Sequence, residues 1–385
     1  MRKLLNLDIF NIALIFLTWR IFLILALVFA LSFLPLGYTD RFLGGGSVNY
    51  HLVPEVFSWA NFDGEHYLSI AIFGYKGLEQ VFFPIFPILI SILSKPFTSD
   101  FFSALLSGTL TGLFISNVSF FLSLIIFRKL IEIDFSKKIS LLSILILAAF
   151  PTSFFFGAVY NESLFLLISL SAFYFARKGN WFWAAVLGGF SSATRIFGIL
   201  LFPAFFIEAY QQKAKFHKFF WIFLIPLGLG IYMFYQYLTV GDPLAFYNLQ
   251  KFVGEQRQSG FTLLPQVYFR YIKMLITVDF YNPIYQTILL EFAMGILFFI
   301  LPIYGVFKKI RLSYIMYVLL GLLLSTIQGS FSSVPRYMLV FFPSFIAAAL
   351  WLSNKSLVFK LTIITLSALL LFFETVLFLR GYWIA

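Results

Sequence analysis

The stretch 59–67 reads WANFDGEHY and sets Asp63, Glu65 and His66 almost side by side in a chain with only 11% charged residues. In an extended strand Asp63 and Glu65 share a face, whereas on a helix Asp63, His66 and Tyr67 come together at i, i+3 and i+4. Either geometry offers a carboxylate beside a second polar group. A carboxylate in a partly dehydrated, aromatic-lined loop can take the proton of a hydroxyl nucleophile, because such surroundings favour the protonated form. The plainer alternative is that Asp-Gly marks a turn and Asp63 caps the helix EHYLSIAIF. As a metal site the trio matches no standard ligand spacing, so no metal is assigned.

Three further charges interrupt apolar runs: Glu162 in AVYNESLF, Arg195 in SSATRIFG and Arg336 in SVPRYMLVFFP. Charges at membrane depth face a partner or a water-filled cavity. Two readings of Glu162 and Arg195 therefore stand, a structural ion pair or a ligand site. Arg336 is either an interfacial anchor or a planar fork that grips a phosphate. Arg20 and Glu374 also lie in apolar runs and receive no role.

The elements that position these groups follow from composition. Of the 385 residues 61% are apolar and 21% aromatic, which leaves too little polar surface to coat a water-soluble globule. The expected fold is a single all-α polytopic membrane domain over 1–385. The net charge of +11 is scattered in short clusters between apolar runs, so it reads as topology signal and not as a nucleic-acid surface. There is no cysteine, which excludes disulfides, thiolate metal sites and a cysteine nucleophile. No GxGxxG, Walker loop or HExxH supports nucleotide or zinc-peptidase chemistry. GGGS at 44–47 reads as a flexible hinge. The first apolar run, about 9–36, lacks a small-residue cleavage site and is expected to be a retained span.

Basic clusters at 2–3, 128–138, 177–180, 211–218, 308–311 and 354–355 are expected on the cytoplasmic side. Spans at 9–36, 105–127, 139–157, 163–176, 181–194, 196–210, 219–238, 284–306, 312–327, 338–352 and 356–379 then give about eleven helices, with the N-terminus inside and the C-terminus outside. The proline-bearing run 82–97 fits as an interfacial or re-entrant element. The outer face receives a first loop at 37–104, a second at 239–283, and all the polar groups above. Spans as short as 163–176 and 181–194 imply broken helices around a cavity, since unpaired backbone survives at depth only there.

FDGEHYLSIAIFGY (62–75), FFPIFP (82–87), FPTSFFFGAVYNESLFLL (150–167), ATRIFGILL (193–201), GDPLAFYNLQ (241–250) and PRYMLVFFP (335–343) fall in the order seen in PIG-V-like mannosyltransferases. The chain resembles that family, a branch of the GT-C glycosyltransferase superfamily, over most of its length. The resemblance implies a GT-C-type helix bundle with interfacial helices in the first external loop and a catalytic acid there, which falls on Asp63. Its YxES pattern falls on Tyr160, Asn161, Glu162 and Ser163, its arginine on Arg195, and its PRY on Pro335, Arg336 and Tyr337. Glu65, His66, Tyr160, Asn161, Glu162, Arg195, Arg336 and Tyr337 are accordingly expected to bind substrate. The chain lacks the large soluble C-terminal domain of some GT-C relatives, which favours a lipid or glycolipid acceptor.

The implied reaction moves a sugar, mannose by resemblance, from a polyprenyl- or dolichyl-phosphate donor to an acceptor hydroxyl on the extracytoplasmic face with inversion. The protein would sit in the plasma membrane if prokaryotic. It would need no cofactor, although a divalent cation is compatible with the chemistry. Arg195 or Arg336 would stabilise the leaving phosphate, with Lys251, Arg257, Arg270 and Lys273 as the remaining external cations. A glycolipid transporter or flippase is the rival reading, and it should show two related halves, which the sequence does not. A non-catalytic subunit of a glycan-assembly complex is the second rival.

Overall fold

In the computed structural model residues 2–37, 47–253, 262–282, 284–327 and 329–384 are described, and among them every regular element is helical. Arg257 and the glycines of the 44–47 hinge lie outside the described residues. A chain this apolar has to satisfy its backbone groups within each segment, and the helix does so without water. Each of the eleven expected apolar segments contains helix. Among the described residues five helices, Ile9–Phe33, Phe101–Ile131, Phe216–Val240, Ile284–Phe307 and Leu357–Leu379, are long and apolar enough to cross a bilayer. A sixth is counted if Val334–Val340 and Pro343–Ser353, which meet at 88°, form one broken span. The first and last of these helices pack together and turn Leu14, Leu17, Leu25, Leu361 and Leu366 outward, as lipid-facing surfaces do. The chain is a membrane protein.

Prolines divide several of the expected spans. The run 139–157 is helical only over Lys137–Ala148, and a 3₁₀ turn at Ser153–Gly157 follows Pro151. The run 338–352 bends where Pro343 starts its second arm. Proline lacks the N–H and crowds the preceding turn, so the chain changes direction at such places. The segment 82–97 holds a ten-residue helix, Ile85–Ser94, which is too short to span. The second large loop contains a helix that its sequence was not expected to form, Leu264–Thr277, with Pro265 in its first turn. It buries Val267 and Tyr271 and exposes Phe269 and Ile276.

Close backbone approaches set the helix spacing near the site. At Gly228, in the Ile225–Val240 helix, an added Cβ would sit 1.9 Å from the Gly189 carbonyl oxygen of the Trp181–Thr194 helix. The Ser192 hydroxyl occupies the same crossing and donates to the Ile225 carbonyl at 2.6 Å. Only a residue without a side chain fits there.

Two polar clusters mark the two ends of the bundle. At one end buried Glu208 accepts from Arg311 Nε at 2.9 Å and Ser313 Oγ at 2.5 Å and pairs with Arg177, which also holds Asp134. Asp134, Arg177 and Arg311 come from three of the basic clusters that the sequence placed on one side. The Glu162–Arg177 helix starts in the other cluster, around Glu162, and ends in this one. Its 16 residues cover about 24 Å.

Candidate active site

Asp63 is the first residue of the Asp63–Phe73 helix, and Phe62, not Asp63, holds the N-cap position. The capping alternative is thereby set aside, and the carboxylate is available for other contacts. The helical option is the one realised: Asp63, His66 and Tyr67 share a face and line one cavity of about 340 Å³. The residue before Asp63, Phe62, has φ 60° and ψ −118°. That region is costly for any side chain, and strain of this kind persists only where surrounding packing enforces it. Here Phe62 is wedged edge-on against Trp383, with ring centroids 5.6 Å apart.

Arg336 Nη1 lies 2.7 Å from Asp63 Oδ2, and its Nε lies 3.6 Å from Glu162 Oε1. Arg195 Nη1 meets the same Glu162 oxygen at 2.7 Å. Two acids and two guanidiniums thus form one chain of contacts, Asp63–Arg336–Glu162–Arg195. Burial separates their roles: the Glu162 side chain is 2% exposed and that of Asp63 is 27% exposed. Glu162 holds the arginines from beneath, whereas Asp63 reaches the cavity. Of the two readings of Glu162 and Arg195, the ion pair forms, and Arg195 lines the cavity as well.

Aromatic rings fix both guanidiniums. The Tyr337 ring centre is 5.0 Å from Arg336 Cζ and 5.4 Å from Arg195 Cζ, so one ring serves both. Phe155 and Tyr160 each flank Arg336 at 5.5 Å, and Phe197 flanks Arg195 at the same distance. Such contacts orient a cation without neutralising it, which leaves its N–H groups available to an anion.

Local structure explains how each group arrives. Arg195 is extended, with φ −154° and ψ 151°, in the break between the Trp181–Thr194 helix and the 3₁₀ turn Ile196–Leu200. Asn161 ties that break to the start of the Glu162–Arg177 helix by donating from Nδ2 to the Thr194 carbonyl at 3.0 Å. Glu162 opens the Glu162–Arg177 helix, where its negative charge suits the helix N-terminus. Tyr160 is buried and donates to the Asn61 carbonyl at 2.8 Å, locking 160–162 to the loop before Asp63. Burial, with the Asp63 carboxylate adding to it, raises the affinity of the Tyr160 phenol for its proton, so it remains a donor.

Of the expected substrate-binding residues, His66, Asn161, Arg195, Arg336 and Tyr337 line the cavity with Asp63. Tyr160 and Glu162 stand behind that wall, and Glu65 lies outside it. His66 stacks on Phe82 with centroids 4.7 Å apart and has Glu79 at 3.9 Å. Burial disfavours the imidazolium, but hydrogen bonding to Glu79 and the carboxylates of Asp63 and Glu65 outweigh it, so His66 holds its proton more tightly than usual. Among the described residues no three His, Asp or Glu side chains gather as a metal site. Arg270 donates to the Gly329 carbonyl at 3.0 Å, and neither it nor Lys251 or Lys273 lines the cavity.

Sequence reasoning missed the far wall, formed by Phe246, Tyr247, Gln250, Ser325, Ser330, Ser332 and Trp383. It also missed a second, apolar cavity of about 640 Å³, lined by Ile70, Pro84, Ile88, Leu227, Ile231 and their neighbours. The two are adjacent, Phe83 lining the first and Pro84 the second.

A family model described as Mannosyltransferase (PIG-V) matches residues 45–273, which include every expected site residue except Arg336 and Tyr337. The GPI mannosyltransferase pigv-1 of Caenorhabditis elegans is 32% identical over 128 residues, 32% of this chain and 16% of that protein. A crystal structure of the Archaeoglobus fulgidus oligosaccharyltransferase tethered with an acceptor peptide aligns with a TM-score of 0.45 at 13% identity, over 95% of this chain and 55% of that one. The same archaeal enzyme, AglB, in complex with an inhibitory peptide and a dolichol-phosphate, aligns with a TM-score of 0.44 at 12% identity, over 96% of this chain and 56% of that one. The chain therefore spans only part of each of these proteins.

Proposed function

The chain belongs to the mannosyltransferase (PIG-V) family, and on that premise we propose that it transfers mannose from a polyprenyl-phosphate donor to a hydroxyl of a lipid or glycolipid acceptor. The observation that carries this reading is the contact of Asp63 with Arg336 on the wall of a cavity that also presents Arg195. A base and two anion-binding groups within one cavity are what this transfer requires.

The acceptor hydroxyl loses its proton to Asp63 as its oxygen attacks the anomeric carbon. The bond from that carbon to the phosphate oxygen breaks on the opposite face, the linkage inverts, and polyprenyl phosphate leaves with the electron pair. Charge grows on the leaving phosphate, and guanidiniums held by rings and by buried Glu162 meet it without reorganising. Arg336 is paired with Asp63. An arriving phosphate competes for that guanidinium, so donor binding releases the base. The apolar cavity next to Phe83 suits the donor's isoprenoid tail. The positive clusters at the other end of the helices support an extracytoplasmic location for the site.

The test is to incubate the purified protein in lipid with polyprenyl-phosphate hexoses and candidate glycolipids and to identify products by mass. A mannosylated lipid that depends on Asp63 is expected. A folded protein that forms no hexosylated product from any such donor would overturn the reading.

A further inference from the structure

Glu291 is a buried acid that takes no part in the site just described. It lies within the Ile284–Phe307 helix, is 3% exposed, and lines neither cavity. Its Oε2 accepts from the Tyr271 hydroxyl at 2.6 Å, and its Oε1 accepts from the Ser333 backbone N–H at 3.1 Å. The Tyr271 oxygen also accepts from the Phe331 N–H at 3.1 Å and lies 3.2 Å from Ser330 Oγ. Three of the four residues 330–333, all but Ser332, are thus reached by one Tyr–Glu pair. Phe331 is fully buried between Tyr268 and Tyr271, each with its ring centre 4.9 Å away.

The segment so held is strained and leads straight to the site. Ser333 has φ 63° and ψ 7°, the left-handed region that a serine seldom adopts, and it directly precedes the short Val334–Tyr337 helix. The N–H groups of Arg336 and Tyr337 both bond the Ser333 carbonyl, at 3.1 and 2.8 Å. The direction of the Ser333 backbone therefore sets the direction in which Arg336 leaves it. Without the Glu291 contact, that serine has little reason to stay left-handed.

We propose that Glu291 and Tyr271 are positioning residues that hold the 330–333 turn and thereby aim Arg336 at Asp63 and at the donor phosphate. The latch joins the second external loop, through the Leu264–Thr277 helix, to the site. It rests on the transferase reading for its catalytic consequence but not for its geometry.

Two measurements on the whole chain in lipid test it. The chain has no native cysteine, so Ser332→Cys, on the cavity wall, provides a unique thiol for a water-soluble maleimide. Tyr271→Phe and Glu291→Gln are each expected to raise its labelling rate about fivefold, the effect of one lost hydrogen bond. Transfer should fall with either variant through kcat more than KM for the acceptor. In an Arg336→Ala background neither variant should cost anything further, because both act through that arginine. A merely structural role predicts the opposite, additive losses that follow the melting temperature, and that result overturns the proposal, as does unchanged labelling in both variants. If Glu291→Gln does not insert, Tyr271→Phe removes a single oxygen and carries the test alone. Should the parent transfer no sugar, the transferase reading fails and the labelling rates still decide the latch.

Discussion

Asp63 Oδ2 and Arg336 Nη1 stand 2.7 Å apart, one at the start of a helix in the first loop and the other in a short helix near the far end of the chain. This contact closes the cavity wall and gives each residue a reason to be where it is before any substrate arrives. Asp63→Asn keeps the shape and one hydrogen-bond acceptor but can no longer take a proton. The variant is expected to insert and melt like the parent and to lose at least about 100-fold in transfer. Near-normal turnover by a folded Asp63→Asn protein would remove the base from Asp63.

The two arginines are expected to differ when lost. Arg195→Ala leaves Glu162, 2% exposed, with only the 3.6 Å contact to Arg336, and breaking a buried pair in this way costs about 3–5 kcal/mol. Arg336→Ala leaves Asp63, 27% exposed, which water can reach, so the loss of stability should be smaller and the loss of donor binding larger. Lysine at 336 keeps the charge but not the planar fork, and should be nearly as damaging as alanine to donor affinity. Melting temperature and donor affinity measured on the same variants check this. Unchanged donor binding by both Arg195→Lys and Arg336→Lys would remove the arginines from the phosphate site.

His66 predicts a pH dependence. Its proton affinity is raised in the folded protein, so charged His66 stabilises the fold below the ordinary histidine pKa of about 6.5, and the contribution fades as pH rises through the higher folded value. With its side chain 45% exposed the gain is small, about 0–1 kcal/mol. His66→Gln should therefore melt below the parent at mildly acid pH and match it at alkaline pH. A deficit that grows with pH would contradict the sign.

Helix packing offers a paired prediction on one element. Gly228→Ala forces a methyl to within 1.9 Å of the Gly189 carbonyl oxygen and 2.4 Å of the Ser192 hydroxyl, and is expected to cost about 1–3 kcal/mol. Gly230, two residues on, has nothing within 4 Å of its added Cβ, so Gly230→Ala should be neutral or slightly stabilising. Equal melting temperatures for the two variants would refute the tight crossing.

Much of the site was legible because charge is conspicuous in an apolar chain. Asp63, Glu162, Arg195 and Arg336 each interrupt hydrophobic sequence, and all four converge. The Glu162–Arg195 pair was one of the readings the sequence offered, but the place of Arg336 between Asp63 and Glu162 was not legible, because that contact depends on how distant helices pack. Glu291 did carry a signal, as a lone acid within an apolar helix, and the rule for charges at membrane depth points to it. The Leu264–Thr277 helix left a trace too, in Val267 and Tyr271 at helical spacing behind Pro265. The strain at Phe62 and Ser333 left none, since neither residue type favours positive φ.

The last prediction concerns sidedness, which follows from the two polar clusters. The Glu162–Arg177 helix runs from the Asp63–Arg336 site to Asp134 and Glu208, and the Leu312–Thr326 helix runs between the same two ends, from Arg311 toward the 330–333 turn. Whatever side one cluster occupies, the other must lie toward the opposite side. The basic loops at 177–180, 211–218 and 308–311 surround Glu208 and Arg311, and lysine and arginine in short loops remain cytoplasmic. In the cysteine-free chain, a thiol at Lys308 should react with an impermeant reagent only after the membrane is opened, and a thiol at Ser332 should react in sealed cells. Labelling of both from the same side would break the two-ended arrangement itself. Reversal of both would keep the site intact and turn it to the cytoplasm, where a donor and acceptor of that compartment would have to be sought.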